Sequence, residues 1–274
     1  MQPLSVVIIT YNEQENIGRC IRSVKCLADE IIVLDSGSTD KTVDIARSLG
    51  AVVYHQRFKG YIEQKNHALR LASNDYILSL DADEALDATL ATSILEAKKK
   101  LKYKAWSMNR TTYFCGRFLR RGLWYPDRKI RLFDRRIAKW GGLNPHDKIV
   151  LREGVAVHHL KGDILHYAFY SPEDHINRNN RISSIAAQSY YEIGRRSSWY
   201  KMIVHPAWAF FNGYLLRRGF LEGVEGFSFA INAAHQVFLK YCKLYRLQKT
   251  AGTKRKFSSM KLLLPEKDTI ANDI

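Results

Sequence analysis

Short apolar runs alternate with amphipathic stretches over the first third of the chain. Each run is rich in β-branched residues, which is typical of a buried strand. Between the runs, apolar residues recur three and four positions apart, as they do on one face of a helix. Strands that alternate with helices in this way indicate βαβ units and a mostly parallel sheet. Including later runs, the predicted strands are residues 4–9, 30–34, 51–54, 76–80, 104–114, 128–133 and 149–151.

From Ser171 onward the apolar positions return to a helical period. Ser171 followed by Pro172 is typical of a helix start, because Ser caps free N–H groups and Pro fits the first turn. Aromatic and basic residues are then interleaved up to residue 248. We predict an α/β domain over residues 1–170, a helical region over residues 171–250 and a mobile tail over residues 251–274.

The composition is 46% hydrophobic and 26% charged over 274 residues, as in a globular protein with a sizeable core. The four cysteines show neither C-x-x-C spacing nor the density of a disulfide scaffold, which favours a reducing compartment. The N-terminus leads straight into the first predicted strand, without the pattern of a secretory signal. The longest later apolar stretch, residues 206–216, is well short of the roughly 20 residues that span a bilayer. We therefore expect a cytoplasmic protein.

The net charge of +16 is unevenly distributed. Residues 1–94 carry 9 Lys and Arg against 13 Asp and Glu, whereas residues 195–261 carry 13 against 2. Basic and aromatic residues on predicted helices fit helices that lie on an anionic membrane surface. The basic half would also suit nucleic acid, and its aromatic residues would equally suit packing against the core of the first domain.

Polar clusters follow three of the predicted strands, at residues 10–13, 35–40 and 81–84. The carboxyl ends of parallel strands form the edge of the sheet at which ligands bind. Asp81 and Asp83 can both turn toward one hard cation, and Mg²⁺ or Mn²⁺ held in this way usually completes its shell with substrate phosphates. Each cluster alone would also fit a helix cap or an acidic first turn. Their coincidence at one edge favours a binding site.

Two common nucleotide-binding motifs are absent: the chain has no G-x-G-x-x-G after the first strand and no G-x-x-x-x-G-K-[ST]. A dinucleotide dehydrogenase and a P-loop hydrolase are therefore disfavoured. Four other motifs, in order, resemble the nucleotide-sugar half of the family 2 inverting glycosyltransferases of GT-A fold. They are S-V-V-I-I-T-Y-N-E at residues 5–13, D-S-G-S-T-D at 35–40, Q-K-N-H-A-L at 64–69 and D-A-D-E at 81–84.

The second half of the chain resembles the bacterial lipopolysaccharide core β-glucosyltransferase subgroup. The motifs that carry this resemblance are R-K-I-R-L-F at residues 128–133, His146-Asp147, L-H-Y at 165–167 and R-G-F-L-E-G at 218–223. The resemblance implies a Rossmann-like, mostly parallel central sheet flanked by helices, with a helical, basic C-terminal extension.

The resemblance also implies how the donor is bound. Thr10, Tyr11 and Glu13 match the family's first nucleotide-contact strip, and Asp35 matches the acid that reads the base. Lys65 lies on a helix that approaches the site and could pair with a phosphate, although a solvated helix face explains a single Lys equally well. The set that the resemblance implies for the donor is Thr10, Tyr11, Glu13, Asp35, Lys65, Asp81 and Arg131, with Arg131 clamping a phosphate.

For the cation, Asp81 and Asp83 match the family's metal-binding pair. Asp83 is the residue expected to coordinate directly, and Asp81 the one expected to bind ribose or metal-bound water. A histidine near the position of His166 touches the metal or the diphosphate in some relatives. A lone His among apolar residues is nevertheless more often structural than a ligand. Bound Mg²⁺ or Mn²⁺ would neutralise the leaving nucleoside diphosphate.

Inversion at the sugar carbon requires a base opposite the leaving group, and a carboxylate is the usual choice. The family often has His-Glu in the polar turn before the strand at residues 149–151, where this chain has His146-Asp147. Asp147 is therefore the predicted catalytic base. Its side chain is shorter than that of Glu, so Asp127 and Glu84 are the reserve candidates.

Together these features predict a metal-dependent inverting glycosyltransferase that moves a hexose, glucose from UDP-glucose, to a lipid-linked acceptor. The acceptor would be lipopolysaccharide core or another envelope glycan, and the enzyme would sit peripherally on the inner face of the cytoplasmic membrane through its C-terminal region. One alternative is a nucleic-acid-binding protein, but acidic strand ends would repel phosphate, so no nucleic acid is expected. The other alternative is a nucleotidyltransferase, which generally needs a Gly-, Arg- or Lys-rich loop where Tyr11-Asn12-Glu13 stands here.

Overall fold

The computed structural model of the protein describes residues 2–99, 103–143 and 146–261. Strands and helices alternate over the first half, as the sequence predicts. The elements of this half are β1 (Leu4–Thr10), α1 (Ile17–Val24), β2 (Glu30–Asp35), α2 (Thr42–Ser48), β3 (Val52–His55), α3 (Tyr61–Leu71), β4 (Tyr76–Asp81), β5 (Glu84–Leu86) and α4 (Ala88–Lys99). The strands that follow are β6 (Ala105–Phe114), β7 (Arg117–Leu119), β8 (Asp127–Asp134), β9 (Ala138–Leu143), β10 (His146–Leu151) and β11 (Val157–Phe169). The C-terminal helices are α5 (Pro172–Glu192), α6 (Trp199–Phe211) and α7 (Gly223–Lys261).

One large sheet dominates the first 170 residues. Its strand order is β3-β2-β1-β4-β8-β6-β11-β5, with β7 paired to β6, while β9 and β10 form a separate hairpin. The strands from β3 to β4 are parallel, and so are β6 and β11. β8, β7 and β5 enter in the opposite direction. The predicted α/β fold is confirmed, and its parallel character is confined to the first four strands and the β6–β11 pair.

The parallel register aligns the carboxyl ends of β1, β2 and β4. Thr10 is paired with Asp35, and Ile9 with Asp81. Since consecutive parallel strands start and stop at the same edge, the three polar clusters of the sequence lie side by side in space. Helices hold this edge rigidly: α1 buries Ile17 and Ile21 against one face of the sheet, and α3 packs against the other.

The C-terminal helices pack against one another and against the sheet. α5 begins as predicted, because the Ser171 hydroxyl accepts a hydrogen bond from the Asp174 N–H and the Asp174 carboxylate accepts one from the Ser171 N–H. α5 and α6 both pack along α7. α7 continues past residue 250 to Lys261, within the segment predicted to be a mobile tail. The remainder of that predicted tail, residues 262–274, lies outside the described residues.

The C-terminal aromatic residues fall into two groups. Phe229 of α7 is 5% exposed and lies in a cluster with Phe114, Trp124 and Phe169. In contrast, α6 buries none of its residues, and Trp199 and Trp208 are 69% and 56% exposed. Both alternatives considered for these residues, packing against the core and facing outward, therefore occur in different helices.

Candidate active site

A cavity of about 550 Å³ opens at the carboxyl ends of β1 and β4. Four of the predicted donor-binding residues, Thr10, Tyr11, Glu13 and Asp81, line it together with Asp83. The other lining residues come from the loop after β2, the segment around the start of α3, and α5. They are Ser36, Arg57, Phe58, Tyr61, Arg178, Arg181 and Ile185, with Ile9 and Ala82 in the floor.

A second cavity, of about 450 Å³, lies next to the first. The two share Glu13, Asp83, Arg178 and Arg181, so these four side chains form a common wall. The far side of the second cavity is lined by the end of β11 and the first turns of α5. Its other lining residues are Asn16, Tyr167, Ala168, Tyr170, Asp174 and Asn177.

Asp83 is the carboxylate at the centre of this arrangement. It sits in the tight turn between β4 and β5, and its carbonyl accepts a hydrogen bond from the Tyr167 N–H at 2.8 Å, which fixes the turn to β11. Its Oδ2 lies 3.2 Å from His166 Nε2 and 3.2 Å from Arg178 Nη1. Although burial disfavours the charged form, His166 and Arg178 hold the pKa of Asp83 well below its usual range. Asp83 is therefore an ionised carboxylate facing both cavities.

Asp83 and His166 together fit a divalent cation. In octahedral geometry with ligand bonds of about 2.1 Å, neighbouring ligand atoms lie about 3 Å apart. The observed 3.2 Å between His166 Nε2 and Asp83 Oδ2 is close to this spacing. Carboxylate and imidazole suit Mn²⁺, and phosphate and water oxygens would complete its shell. Within the described residues, no group of three or more His, Cys, Asp or Glu side chains is arranged to hold a metal by itself.

Asp81 occupies a different environment from the one the resemblance implied. Lys65 Nζ lies 3.0 Å from its Oδ1, and Arg131 Nη2 lies 3.3 Å from its Oδ2. Although burial opposes ionisation, these two cations hold the pKa of Asp81 below its ordinary value. Because both of its oxygens already face cations, Asp81 is less suited than Asp83 to bind a metal ion.

Lys65 and Arg131 point into this network and away from the cavity. Lys65 is 4% exposed and lies 2.7 Å from Asp147 Oδ2, with its ammonium above the Trp140 ring. Arg131 is 3% exposed and donates to Glu84 Oε1 at 2.7 Å. Neither residue lines either of the two cavities, and the structure gives both of them carboxylate partners where the resemblance implied phosphate. Their burial depends on tertiary packing, which the local sequence pattern does not indicate.

The three candidate bases belong to the same network. Asp147, at the start of β10, pairs with Lys65. Glu84 pairs with Arg131 and Arg110, and Arg110 in turn binds Asp127 at 2.8 Å. The structure thus connects Asp147 to Asp81 through one ammonium group, while Glu84 and Asp127 lie further along the chain of charges.

Asp35 organises the loop after β2. Its carboxylate accepts hydrogen bonds from the Gly37 N–H at 2.9 Å and the Ser38 N–H at 3.0 Å, as well as from the Ser38 hydroxyl. His55 Nδ1 lies 3.1 Å from the same carboxylate. Gly37 has a φ of +97°, which only glycine adopts readily. Asp35 is 1% exposed and lines neither cavity, whereas its neighbour Ser36 lines the larger one.

The strip after β1 lines the larger cavity. Thr10 is buried, and its hydroxyl has no hydrogen-bond partner among the described residues, which leaves it free for a ligand in the cavity. Tyr11 is 55% exposed at the cavity mouth. Glu13 accepts a hydrogen bond from Asn16 at 2.8 Å, and burial and the charge of Asp83 raise the pKa of Glu13 to about 7.

Sequence analysis missed the contribution of α5. Arg178 and Arg181 lie in both cavity walls, yet they belong to the region assigned to the C-terminal extension. Their i, i+3 spacing puts them on one helix face, which is the only signal in the sequence that could have indicated a shared role. Arg57, Phe58 and Tyr61 were missed as well, because they lie between the recognised motifs.

Comparison with known proteins relates the chain to a sequence family. The family model for Glycosyl transferase family 2 matches residues 5–156. An uncharacterized glycosyltransferase of Rickettsia typhi is 33% identical over 257 residues, which is 90% of this chain and 88% of that protein. The lipopolysaccharide core biosynthesis glycosyltransferase LpsC of Rhizobium meliloti is 30% identical over 252 residues, covering 89% of this chain and 92% of its own.

Among solved structures, glucosyl-3-phosphoglycerate synthase from Mycobacterium tuberculosis gives a TM-score of 0.47 at 17% identity. The match covers 72% of this chain and 82% of that one, in a crystal with Mn²⁺, uridine diphosphate and glucosyl-3-phosphoglycerate.

Proposed function

The chain belongs to glycosyl transferase family 2, and we propose that it transfers a hexose from a UDP-sugar, glucose from UDP-glucose, to a lipid-linked glycan with inversion at the sugar carbon. The observation that carries this proposal is the meeting of Thr10, Asp81 and Asp83 at one cavity. These residues come from two strand ends that the sheet register aligns.

The larger cavity is the proposed donor site. Phe58, which is 46% exposed, offers a ring on which a nucleobase can stack beside Ser36 and Arg57. The diphosphate is assigned to the opposite end, where Arg178 and Arg181 provide guanidinium groups suited to phosphate oxygens. In this arrangement Asp35 acts indirectly, by holding the loop that carries Ser36.

Asp83 and His166 are the proposed protein ligands of Mg²⁺ or Mn²⁺, and Asp81 is left out of this set. When bound, the cation supplies Lewis-acid stabilisation of the diphosphate leaving group. The protein's own part is to hold the Asp83 carboxylate ionised, through the charge of Arg178, and to position it between the two cavities. Arg178 also brings positive charge to the place where negative charge develops on the leaving group.

Asp147 is the proposed base for the acceptor hydroxyl. Its pairing with Lys65 ties it to Asp81 and therefore to the donor side of the site. Asp147→Asn preserves the shape of the side chain while removing its charge, so donor binding should persist while transfer is lost. Asp127→Asn is the matched comparison. If Asp147→Asn retains transfer and Asp127→Asn loses it, the role belongs to Asp127.

The acceptor is proposed from the relationship with LpsC, whose name assigns it to lipopolysaccharide core biosynthesis. Lipopolysaccharide core or another envelope glycan, carried on lipid at the inner face of the cytoplasmic membrane, is the expected acceptor class. The anionic surface of that membrane is the expected partner of the basic C-terminal region.

The test is release of nucleoside diphosphate by the full chain from a panel of sugar nucleotides, with Mn²⁺ or Mg²⁺ added and then removed by chelation. We expect UDP release from UDP-glucose that depends on the cation, and a loss of roughly a hundredfold or more in Asp83→Asn. Asp44→Asn, an exposed carboxylate change on α2, is the control and should retain full rate. Unchanged turnover in Asp83→Asn would refute the assignment, and release of pyrophosphate would indicate nucleotidyl transfer.

A further inference from the structure

The outward side of α6 is apolar. All residues of this helix are described, and none of them is buried. Large apolar side chains recur three and four positions apart along its exposed side: Tyr200, Val204, Trp208 and Phe211 are 58%, 38%, 56% and 44% exposed. Trp199 at 69% and Ile203 at 61% exposure lie beside them. A soluble amphipathic helix turns such a stripe toward the core and its charges toward water. In α6 this stripe faces outward.

The side of α6 that faces α7 is occupied by ring contacts, including Phe210 on Phe227 with 6.0 Å between ring centroids. His205 stacks on Tyr241 of α7 with 4.7 Å between ring centroids. Lys201, the one Lys or Arg within α6, donates to the Arg196 carbonyl at 2.8 Å and does not interrupt the apolar side. The exposed stripe is therefore not the result of a helix that has rotated away from its partner.

The apolar surface continues beyond α6. Leu216 and Leu221 are 57% and 49% exposed in the segment between α6 and α7, and Val224 at the start of α7 is 79% exposed. Monomeric soluble proteins rarely expose contiguous apolar patches of this kind without a partner. We call the exposed apolar side chains of residues 199–224 the apolar face.

Close packing holds this segment in place. A Cβ on Gly219 would lie 2.7 Å from the Gly213 carbonyl oxygen, and a Cβ on Gly213 would lie 2.9 Å from Leu123 Cβ. Only glycine permits these approaches. The segment is therefore anchored to the rest of the protein and presents its leucine side chains outward in a fixed arrangement.

Exposed arginines lie on both sides of α6 in the sequence. Arg195 and Arg196 precede α6, and Arg217 and Arg218 follow it, and all four are exposed. Tryptophan and tyrosine rings between cations are suited to the headgroup region of an anionic bilayer, where the rings sit at the boundary and the cations meet lipid phosphate. None of the helices within the described residues is long and apolar enough to cross a bilayer.

We propose that the apolar face lies in the plane of an anionic lipid bilayer, with α6 inserted into the headgroup boundary and the four arginines on lipid phosphates. The occupant is thus a lipid surface. This inference extends the proposed function, since it names the surface through which an enzyme with a lipid-linked acceptor meets its membrane. It rests on the proposed function only for the identity of that membrane.

The experiment is vesicle flotation of the full chain with phosphatidylcholine alone and with added phosphatidylglycerol. We expect binding to the anionic vesicles that weakens as salt is raised. Ile203→Glu combined with Trp208→Glu should abolish flotation, because two charges would enter the headgroup boundary. The matched control is Ile176→Glu on α5, which is 47% exposed outside the apolar face and should float like the wild type. Arg195→Gln with Arg196→Gln should weaken binding by roughly thirtyfold at low salt.

Equal flotation of the Ile203→Glu, Trp208→Glu variant and the wild type would overturn the proposal. A wild type that is dimeric by light scattering, does not float, and becomes monomeric in the same variant would also overturn it, since a second copy would then cover the face. UDP release measured in solution without vesicles keeps the two proposals separate. The double variant should retain that release. A negative flotation result would therefore count against the membrane proposal and not against the transfer reaction.

Discussion

Lys65 and Asp147 form an ion pair, with 2.7 Å between Nζ and Oδ2, that joins α3 to the β9–β10 hairpin. The same ammonium lies 3.0 Å from Asp81. Removing one partner of a buried ion pair leaves uncompensated charge and typically costs about 3–5 kcal/mol. We predict that Lys65→Met lowers the free energy of unfolding by about 3 kcal/mol, measured by urea denaturation.

Lys59→Gln, an exposed change just before α3, is the control and should shift stability by less than about 0.5 kcal/mol. Adding Asp147→Asn to Lys65→Met should recover part of the loss, because one unpaired carboxylate is removed. Strictly additive losses would show that the two side chains are not coupled in the folded protein.

His166 is predicted to matter for cation affinity. His166→Phe removes the imidazole that lies 3.2 Å from Asp83 but keeps an aromatic ring in a buried position. We expect Mn²⁺ affinity, measured by titration without any sugar nucleotide, to fall by roughly tenfold or more. The control is His235→Phe on the exposed side of α7. Unaltered Mn²⁺ binding in His166→Phe would remove His166 from the cation site.

Arg178 is predicted to bind the donor diphosphate. It is the arginine that contacts Asp83 and also lines both cavities. Arg178→Gln should raise the KM for the UDP-sugar by roughly tenfold or more, since a charge-assisted hydrogen bond contributes about 1.5–3 kcal/mol. Arg47→Gln, on the exposed side of α2, should leave the KM as it is. A normal KM in Arg178→Gln would place the diphosphate elsewhere.

His175 is predicted to make the protein sensitive to acid. It is completely buried among Phe114, Phe169 and Phe229, and neither ring nitrogen has a hydrogen-bond partner among the described residues. Burial lowers the pKa of His175 from 6.5 to about 4. Between these pH values the unfolded chain binds a proton that the folded chain does not, so stability is full above pH 6.5 and falls toward pH 4. The difference corresponds to about 3 kcal/mol.

His175→Phe should remove the loss of stability that His175 causes between pH 6.5 and pH 4, as measured by denaturant midpoints at a series of pH values. His235→Phe again serves as the exposed control and should keep the wild-type slope. An unchanged slope in His175→Phe would mean that the imidazole is protonated at no cost inside the aromatic cluster.

Glu13 is predicted to lower the stability of the folded protein as the pH rises, which is the opposite of the effect of His175. Its pKa is raised from 4.5 to about 7, so the folded protein holds a proton that the unfolded chain releases. The stability associated with this proton is full below pH 4.5 and is lost as the pH rises through 7. Glu13→Gln should therefore gain stability relative to the wild type between pH 5 and pH 8. Glu15→Gln, an exposed neighbour, should show no such gain.

The opposite slopes of His175 and Glu13 overlap between about pH 4.5 and 6.5. The wild type should consequently show a flatter profile in this range than either single variant. Measuring both variants in one series separates the two contributions.

The fold and the location of the site could be predicted because they follow from local patterns. Alternating apolar runs define the strands, and parallel strands end at a common edge, so Thr10 and Asp81 had to meet once the register was set. Asp83 was identifiable for the same reason, as a carboxylate directly beyond a buried strand. These inferences need only periodicity and the geometry of a parallel sheet.

The partners of the individual charges could not be predicted in this way. The resemblance implied that Lys65 pairs with a phosphate, yet its ammonium lies over the Trp140 ring between two carboxylates. Arg178 reaches Asp83 from 95 residues away in sequence. Side-chain direction and contacts at such separations depend on tertiary packing, which a single sequence does not reveal.

Helix α5 carries Arg178 on one side and packs along α7 on the other, where Asn179 Nδ2 donates to the Asn232 carbonyl at 3.1 Å. The two cavities are therefore lined by residues from both sides of the predicted boundary after residue 170. A fragment that stops there would lose a wall of each cavity together with the counter-charge of Asp83. Residues 1–170 and the C-terminal helices are therefore expected to fold as a single unit.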